Sequence, residues 1–246
     1  MDTHQALQIF HALFWTDEHG RHPEPYTLIT APDVRQGRWR CNAEAAPALG
    51  ISIEAAQRYV KHYTDNLSQS GKYDLTIWPY HAMLGGIGHA LVPAVEEALF
   101  FHAVARISQT GYHTKDRLIL TEHYSALQPE VTADPDGNTI GGLNKDLLDR
   151  VVASDAVIIA GQAKSHCVAW TVADLLTQIE PIDKPMAEKI YLLEDCTSPV
   201  VIANVIDYSD TADAAFTKFS EAGIHLVRTT QPLTRWPGII PKLIGA

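Results

Sequence analysis

The residues able to do covalent chemistry in this chain are few. Three cysteines, Cys41, Cys167 and Cys196, are an odd number at wide spacing. That suits neither a disulfide framework nor a Cys-x-x-Cys metal site, so any special cysteine matters for its reactivity. Cys167 has the most suggestive placement. It stands in Ala163-Lys164-Ser165-His166-Cys167-Val168, between an apolar run and an amphipathic segment, where the N–H groups and dipole of a helix start stabilise a thiolate. Two readings stay open on position alone: a nucleophile, or a small buried residue, since free cysteines are among the most buried types. A second set begins with Asp2-Thr3-His4, a carboxylate and an imidazole whose side chains point the same way in an extended chain. His11 follows, and His81 stands in Trp78-Pro79-Tyr80-His81. Carboxylate plus imidazole ligands suit Zn, Fe or Mn with positions left open for water or substrate. With twelve histidines in the chain, an ordinary surface or core histidine is the competing reading. The glycines at 85, 86 and 88 lack the spacing of a dinucleotide fingerprint and read as a tight turn into a helix.

These groups need a scaffold, and the pattern around Cys167 supplies one. Val157 to Gly161 is a continuous apolar run suited to a strand buried on both faces, and Val168, Val172, Leu175 and Ile179 then recur at helical spacing. Further strands are expected at Tyr26 to Thr30, Leu75 to Trp78, Ile190 to Leu193 and Ile224 to Arg228, all rich in β-branched, aromatic or leucine residues. Helices are expected from Ile53 to Leu67 with Gly71 as terminator, from Ala90 to Ser108, and from Thr211 to Ala222, the last capped by Ser209 or Asp210 and closed by Gly223. Strand and helix alternation of this kind predicts an α/β fold, a three-layer α/β/α sandwich around a mostly parallel, Rossmann-like sheet, with Cys167 at the end of a central strand. Thr110 to Gly142 is polar and reads as a long surface excursion. The segment after Gln231, with Trp236-Pro237-Gly238, reads as a docked or oligomer-contacting tail.

Length and composition narrow the partners. The 246 residues are 46% hydrophobic, ordinary for one globular domain, and no internal repeat or linker divides them. A net charge of -10, with lysines and arginines scattered along the sequence, argues against nucleic acid. Neither a signal peptide nor a membrane-length apolar run is evident, so the expectation is a cytoplasmic protein with no membrane partner.

Four segments, in order, resemble the nicotinamidase and isochorismatase-like cysteine hydrolase superfamily. Trp78 to Leu91 is similar to the W-P-x-H-C-x-x-G-T-x-G-A-x-L stretch of nicotinamidases, in which the histidine binds metal. Asp2-Thr3-His4 with His11 resembles their D-x-H segment and the histidine after it. Ala163 to Val168 resembles their A-x-x-H-C-V nucleophile segment, and Thr121-Glu122-His123-Tyr124-Ser125 the T-x-x-Y-S that trails the catalytic lysine. The resemblance implies a small-molecule carboxamide substrate attacked by the Cys167 thiolate, loss of ammonia, and hydrolysis of the acyl-enzyme. It implies Lys115 as the catalytic lysine, an oxyanion hole from the N–H groups of Ala163 and Cys167, and a non-proline cis peptide at Gln162-Ala163. It further implies a divalent transition metal on Asp2, His4, His81 and His11, substrate contacts from Trp78 and Tyr124, and a homo-oligomer.

The chain departs from that pattern in places. The family's aspartate lies in a D-x-Q-x-D-F segment on a first strand ahead of D-x-H, and here D-x-H begins at residue 2. The expectation is a family member lacking the N-terminal strand and helix over residues 1–246. Lys115 stands three residues further from T-x-x-Y-S than the family pattern expects, with Lys72 and Lys164 as fallbacks. Tyr80, Ala82, Gly86 and His89 replace family residues, which leaves the native amide open. Without the aspartate, the alternative is a catalytically inactive member acting as a binding or oligomer-forming protein. An isochorismatase-like action on an ether fits less well, because the best-known isochorismatases use neither this cysteine nor the metal.

Overall fold

The computed structural model describes residues 13–115 and 118–240. The chain divides into two units, Met1–Glu122 with Glu130–Gly141, and His123–Pro129 with Gly142–Ala246. In the first, β1 (Trp15–Asp17) pairs antiparallel with β3 (Trp39–Cys41), and β2 (Leu28–Ile29) with β4 (Leu75–Thr76). Between them α1 (Ala31–Arg35) starts from a capping box: the Thr30 hydroxyl accepts from Asp33 N–H while the Asp33 carboxylate reaches back to Thr30. After the short α2 (Ala45–Ala48), the long α3 (Ile53–Gln69) is capped by Ser52, whose hydroxyl accepts from Ala55 N–H at 3.2 Å.

The spacing that predicts α3 also says which face it buries. Ala56, Tyr59, Val60, Tyr63 and Leu67 are buried among Phe14, Trp15, Val34, Leu75 and Ile77. Each large apolar side chain so buried contributes about 1.5–3 kcal/mol. By contrast α4 (Pro93–Arg106) buries none of its residues, and Phe100, Phe101 and Val104 are exposed.

The second unit holds the expected alternation. It runs α5 (Lys145–Ala153), β5 (Val157–Ile159), α6 (Ala169–Ile179), β6 (Ile190–Leu193), a β7 (Val201–Ile202) and β8 (Ile206–Asp207) hairpin, α7 (Ser209–Glu221) and β9 (His225–Val227). β5, β6 and β9 form a parallel sheet in that order, with Ile158 opposite Tyr191 and Leu192 opposite Leu226. The chain therefore has an α/β fold whose parallel sheet lies beneath α6 and α7: Val172, Leu176, Ile179, Phe216 and Phe219 pack with Ile190 and Leu192. The other face meets the C-terminal segment, where Trp236 stacks on Tyr191 and Ile239 is fully buried. That segment is docked, one of the two readings above.

Three expectations change. β5 is the edge strand of its sheet among the described residues, not a central one, and Ile158 is 51% exposed. The polar stretch from Thr110 is not all surface: Thr121, Glu122, Ser125, Leu127, Glu130 and Val131 are buried. The polar groups go inside because they are paired. Glu122 accepts from Tyr63 Oη at 3.2 Å, Lys72 meets Glu130 at 3.2 Å, and the Thr121 hydroxyl accepts from Val131 N–H. Finally, α7 begins two residues earlier than the expected Thr211, at one of its two expected caps. Ser209 is its first residue, with its N–H on the Asp207 carboxylate. Among the described residues no helix is long and apolar enough to cross a membrane.

Candidate active site

Cys167 lies in a single π-helical turn, Lys164–Val168, between β5 and α6. The turn is wound wider than an α-helix because Ala163 C=O accepts from Val168 N–H at 3.1 Å, five residues on, as well as from His166 N–H at 3.0 Å. Such bulges gather at functional sites. The Gln162-Ala163 peptide immediately before it is cis, as the resemblance implies. Ala163 N–H donates to none of the described residues.

A neighbouring loop holds this turn in place. Gly161 N–H donates to Cys196 C=O and Lys164 N–H to Ser198 C=O. Ser198 returns its own N–H and hydroxyl to the Gln162 side chain, and Val200 N–H donates to the buried Ser165 hydroxyl at 3.0 Å. These bonds tie the loop after β6 to the loop after β5, so the parallel pairing of the two strands sets where Cys167 stands. Gly161 sits at φ +124°, which an L side chain rarely adopts.

His166 backs the cysteine. Its ring is buried edge-on between Tyr124, at 5.2 Å, and Tyr208, at 4.7 Å, with Nδ1 2.8 Å from the Ser165 hydroxyl. Burial pushes its pKa down to about 4, so the ring is neutral at physiological pH. Lys164 is drawn the other way, its ammonium on Asp213 and above the Phe216 ring. Both fallback lysines are thus engaged in ion pairs, Lys72 with Glu130 and Lys164 with Asp213. Of the other cysteines, Cys41 is buried and its thiol is pushed up to about 11, which leaves it a poor nucleophile.

The sequence-derived site residues fall in both units. Ala163, Cys167 and Tyr124 belong to the second, with Tyr124 against His166. Trp78, His81 and Lys115 belong to the first. The Trp78 ring meets Tyr26 edge-on at 6.2 Å, Lys115 is half-buried, and His81 is exposed with Nδ1 2.7 Å from Pro79 C=O. A histidine whose Nδ1–H donates to a backbone carbonyl presents Nε2 as the lone-pair nitrogen, the arrangement usual in metal ligands. Asp2, His4 and His11 lie outside the described residues, and among the described residues there is no cluster of three groups able to hold a metal. The sequence reading missed Tyr208 and the hydrogen bonds that Gln162 and Ser165 make with the loop after β6. Ser165 was inside the motif, but its partner Val200 comes from a distant loop that no local pattern marks.

No family model matches this chain, and no curated protein matches it. Among solved structures it is similar to a nicotinamidase/pyrazinamidase of Acinetobacter baumanii, at 19% identity and a TM-score of 0.39, over 64% of this chain and 62% of that one. The yeast nicotinamidase bound to the inhibitor nicotinaldehyde is similar at 21% identity and a TM-score of 0.40, over 64% and 62%. The Pyrococcus horikoshii pyrazinamidase in complex with zinc stands at 18% and 0.36, over 65% and 66%. The chain thus matches less than two thirds of the length of each.

Proposed function

We propose that this chain is a cysteine hydrolase of the nicotinamidase type, cleaving a small carboxamide to the acid and ammonia. The observation that carries this reading is Cys167 in its π-helical turn after a parallel strand, beside the Ala163 N–H. The Cys167 thiolate adds to the amide carbon, and the oxyanion forms against the N–H groups of Ala163 and Cys167. The C–N bond breaks as the nitrogen takes a proton and leaves as ammonia. Water then adds to the thioester, the C–S bond breaks, and the acid departs with the thiolate restored. Lys115 is the cation assigned to favour the thiolate, and Trp78 and Tyr124 are assigned to the substrate. Asp2, His4, His81 and His11 are the residues assigned to a divalent Zn, Fe or Mn ion, which when bound orients the substrate through a ring nitrogen. The hydrogen bond from His81 to Pro79 C=O suits that role. On the resemblance, a carboxylate supplies the proton that ammonia takes.

Ammonia release from nicotinamide and a panel of small carboxamides is the test. A protein that carries these 246 residues together with a first-strand segment bearing D-x-Q-x-D-F is expected to turn over in the enzymatic range. Cys167→Ala in that protein should abolish it. Turnover of about 1 per second or faster without that segment's aspartate would show that another group serves as acid and base. Turnover surviving Cys167→Ala would remove the nucleophile assignment itself.

A further inference from the structure

A groove of about 590 Å³ lies in the first unit, away from Cys167 in the chain, and it is lined by α1, β3 and α3. Its volume is in the range of small-molecule sites. Scattered along the sequence, Arg35, Arg40, Arg58 and Lys61 all come to this one surface, in a chain whose net charge is -10. We infer that the groove binds a small phosphate ester of nucleotide size.

The four cations are not equivalent. Arg35 is held on Asp65 through Nε and Nη2, and Arg58 Nη2 donates to Asp136 at 3.0 Å. Each guanidinium has five N–H donors, so these carboxylates orient the arginines and leave donors over. Arg40 reaches only the Gly37 carbonyl, at 3.5 Å, and Lys61 has no ion-pair partner among the described residues. Among the described residues two charges are therefore uncompensated, beside two oriented guanidinium groups. A planar carboxylate matches one fork, whereas the oxygens of a phosphate accept from several donors at once.

The groove is also polar along its length. Glu54, Gln57, Arg58 and Lys61 succeed one another on one face of α3, so the acid and the lysine are about 10 Å apart. The Glu54 carboxylate accepts from its own N–H and from the Ser52 hydroxyl at the start of its helix, which holds its pKa down. An anion is drawn to the Lys61 end, and a hydroxyl donor to the Glu54 end. Ala43 and Ile53, with the edges of the buried Val34 and Cys41, give the lining an apolar part for a ring. A long polyanion would meet the repulsion of the whole acidic chain once it left the groove, which favours a small ligand over nucleic acid.

The test is calorimetric titration of the 246-residue protein with AMP, adenosine and inorganic phosphate at low salt. AMP is expected to bind with a Kd of about 1 mM or tighter, more tightly than either adenosine or phosphate, and to weaken as salt is raised. Arg40→Glu with Lys61→Glu reverses two exposed charges and should lower AMP affinity at least about tenfold. Lys218→Glu, in the other unit, should leave it unchanged, as should Cys167→Ala, which separates this site from the amidase reading. Circular dichroism and the urea midpoint confirm that the double variant is folded, and Arg40→Gln alone serves should it fail. The inference is overturned if AMP does not bind, if adenosine binds as tightly, or if the charge reversals leave AMP affinity intact.

Discussion

His166 should titrate near pH 4 in the folded protein, and the acid stability of the chain should carry its signature. The ring is 4% exposed and wedged between Tyr124 and Tyr208, so the imidazolium would have to form without water around it. A fall from 6.5 to about 4 corresponds to about 3 kcal/mol between the two protonation states. The folded pKa is the lower one, so the unfolded chain takes the proton first as pH falls. Above about 6.5 both states are neutral and the full stability is present. It is lost as pH falls from 6.5 to 4, by about 2 kcal/mol at pH 5, and no further loss from this group occurs below 4. Urea denaturation at pH 7 and pH 5 measures this. Wild type should lose about 2 kcal/mol more than His166→Gln, which has no ring to protonate. NMR titration of the ring proton gives the pKa directly, whether or not the variant folds well. Equal losses in the two proteins, or a ring that titrates near 6.5, would refute the argument.

Other consequences are as specific. Lys72→Met strips the buried Glu130 carboxylate of its ammonium and should destabilise the fold by about 3–5 kcal/mol in urea, with most of the loss recovered by adding Glu130→Gln. Gly223 ends α7 at φ +103°, and a Cβ there meets Glu188 and Ala187 only at ordinary distances, 3.5 and 3.7 Å. Gly223→Ala should therefore cost about 1–2 kcal/mol through backbone strain alone, read as a lower urea midpoint. Elemental analysis of purified protein should find a divalent transition metal that Asp2→Ala and His81→Ala each remove, and full occupancy in both variants would reject the metal site.

What sequence could show depended on how local the cause was. β6 runs from Ile190 to Leu193 as expected, and α3 and α6 follow their apolar spacing, because burial of one face is written at fixed intervals. Cys167 was legible for the same reason: it stands where one period gives way to the other. α5 was legible and overlooked, since Asn144 caps it through Leu147 N–H and Leu147, Leu148 and Val151 recur at helical spacing. The three-residue strands β1 and β3 are too short for any periodicity to show. The buried stretch around Glu122 and Glu130 looked like surface because polarity was read without its partners, Tyr63 and Lys72, some sixty residues earlier. Two features had no local signal at all: the Tyr124 and Tyr208 walls around His166, and the gathering of Arg35, Arg40, Arg58 and Lys61 on one groove.

The central claim is that Cys167 carries the acyl group, and trapping that thioester tests it most directly. Nicotinic acid activated as an aryl ester needs no protonated ammonia to leave, so it should acylate the thiolate even where amide turnover is absent. Peptide mass spectrometry after brief exposure should find the nicotinoyl group on the Cys167 peptide, well above Cys196, which is also half-buried, and none on Cys41. Cys167→Ala should lose the label. Equal labelling of Cys167 and Cys196, or no acylation of Cys167 under conditions that modify a free thiol, would contradict the account.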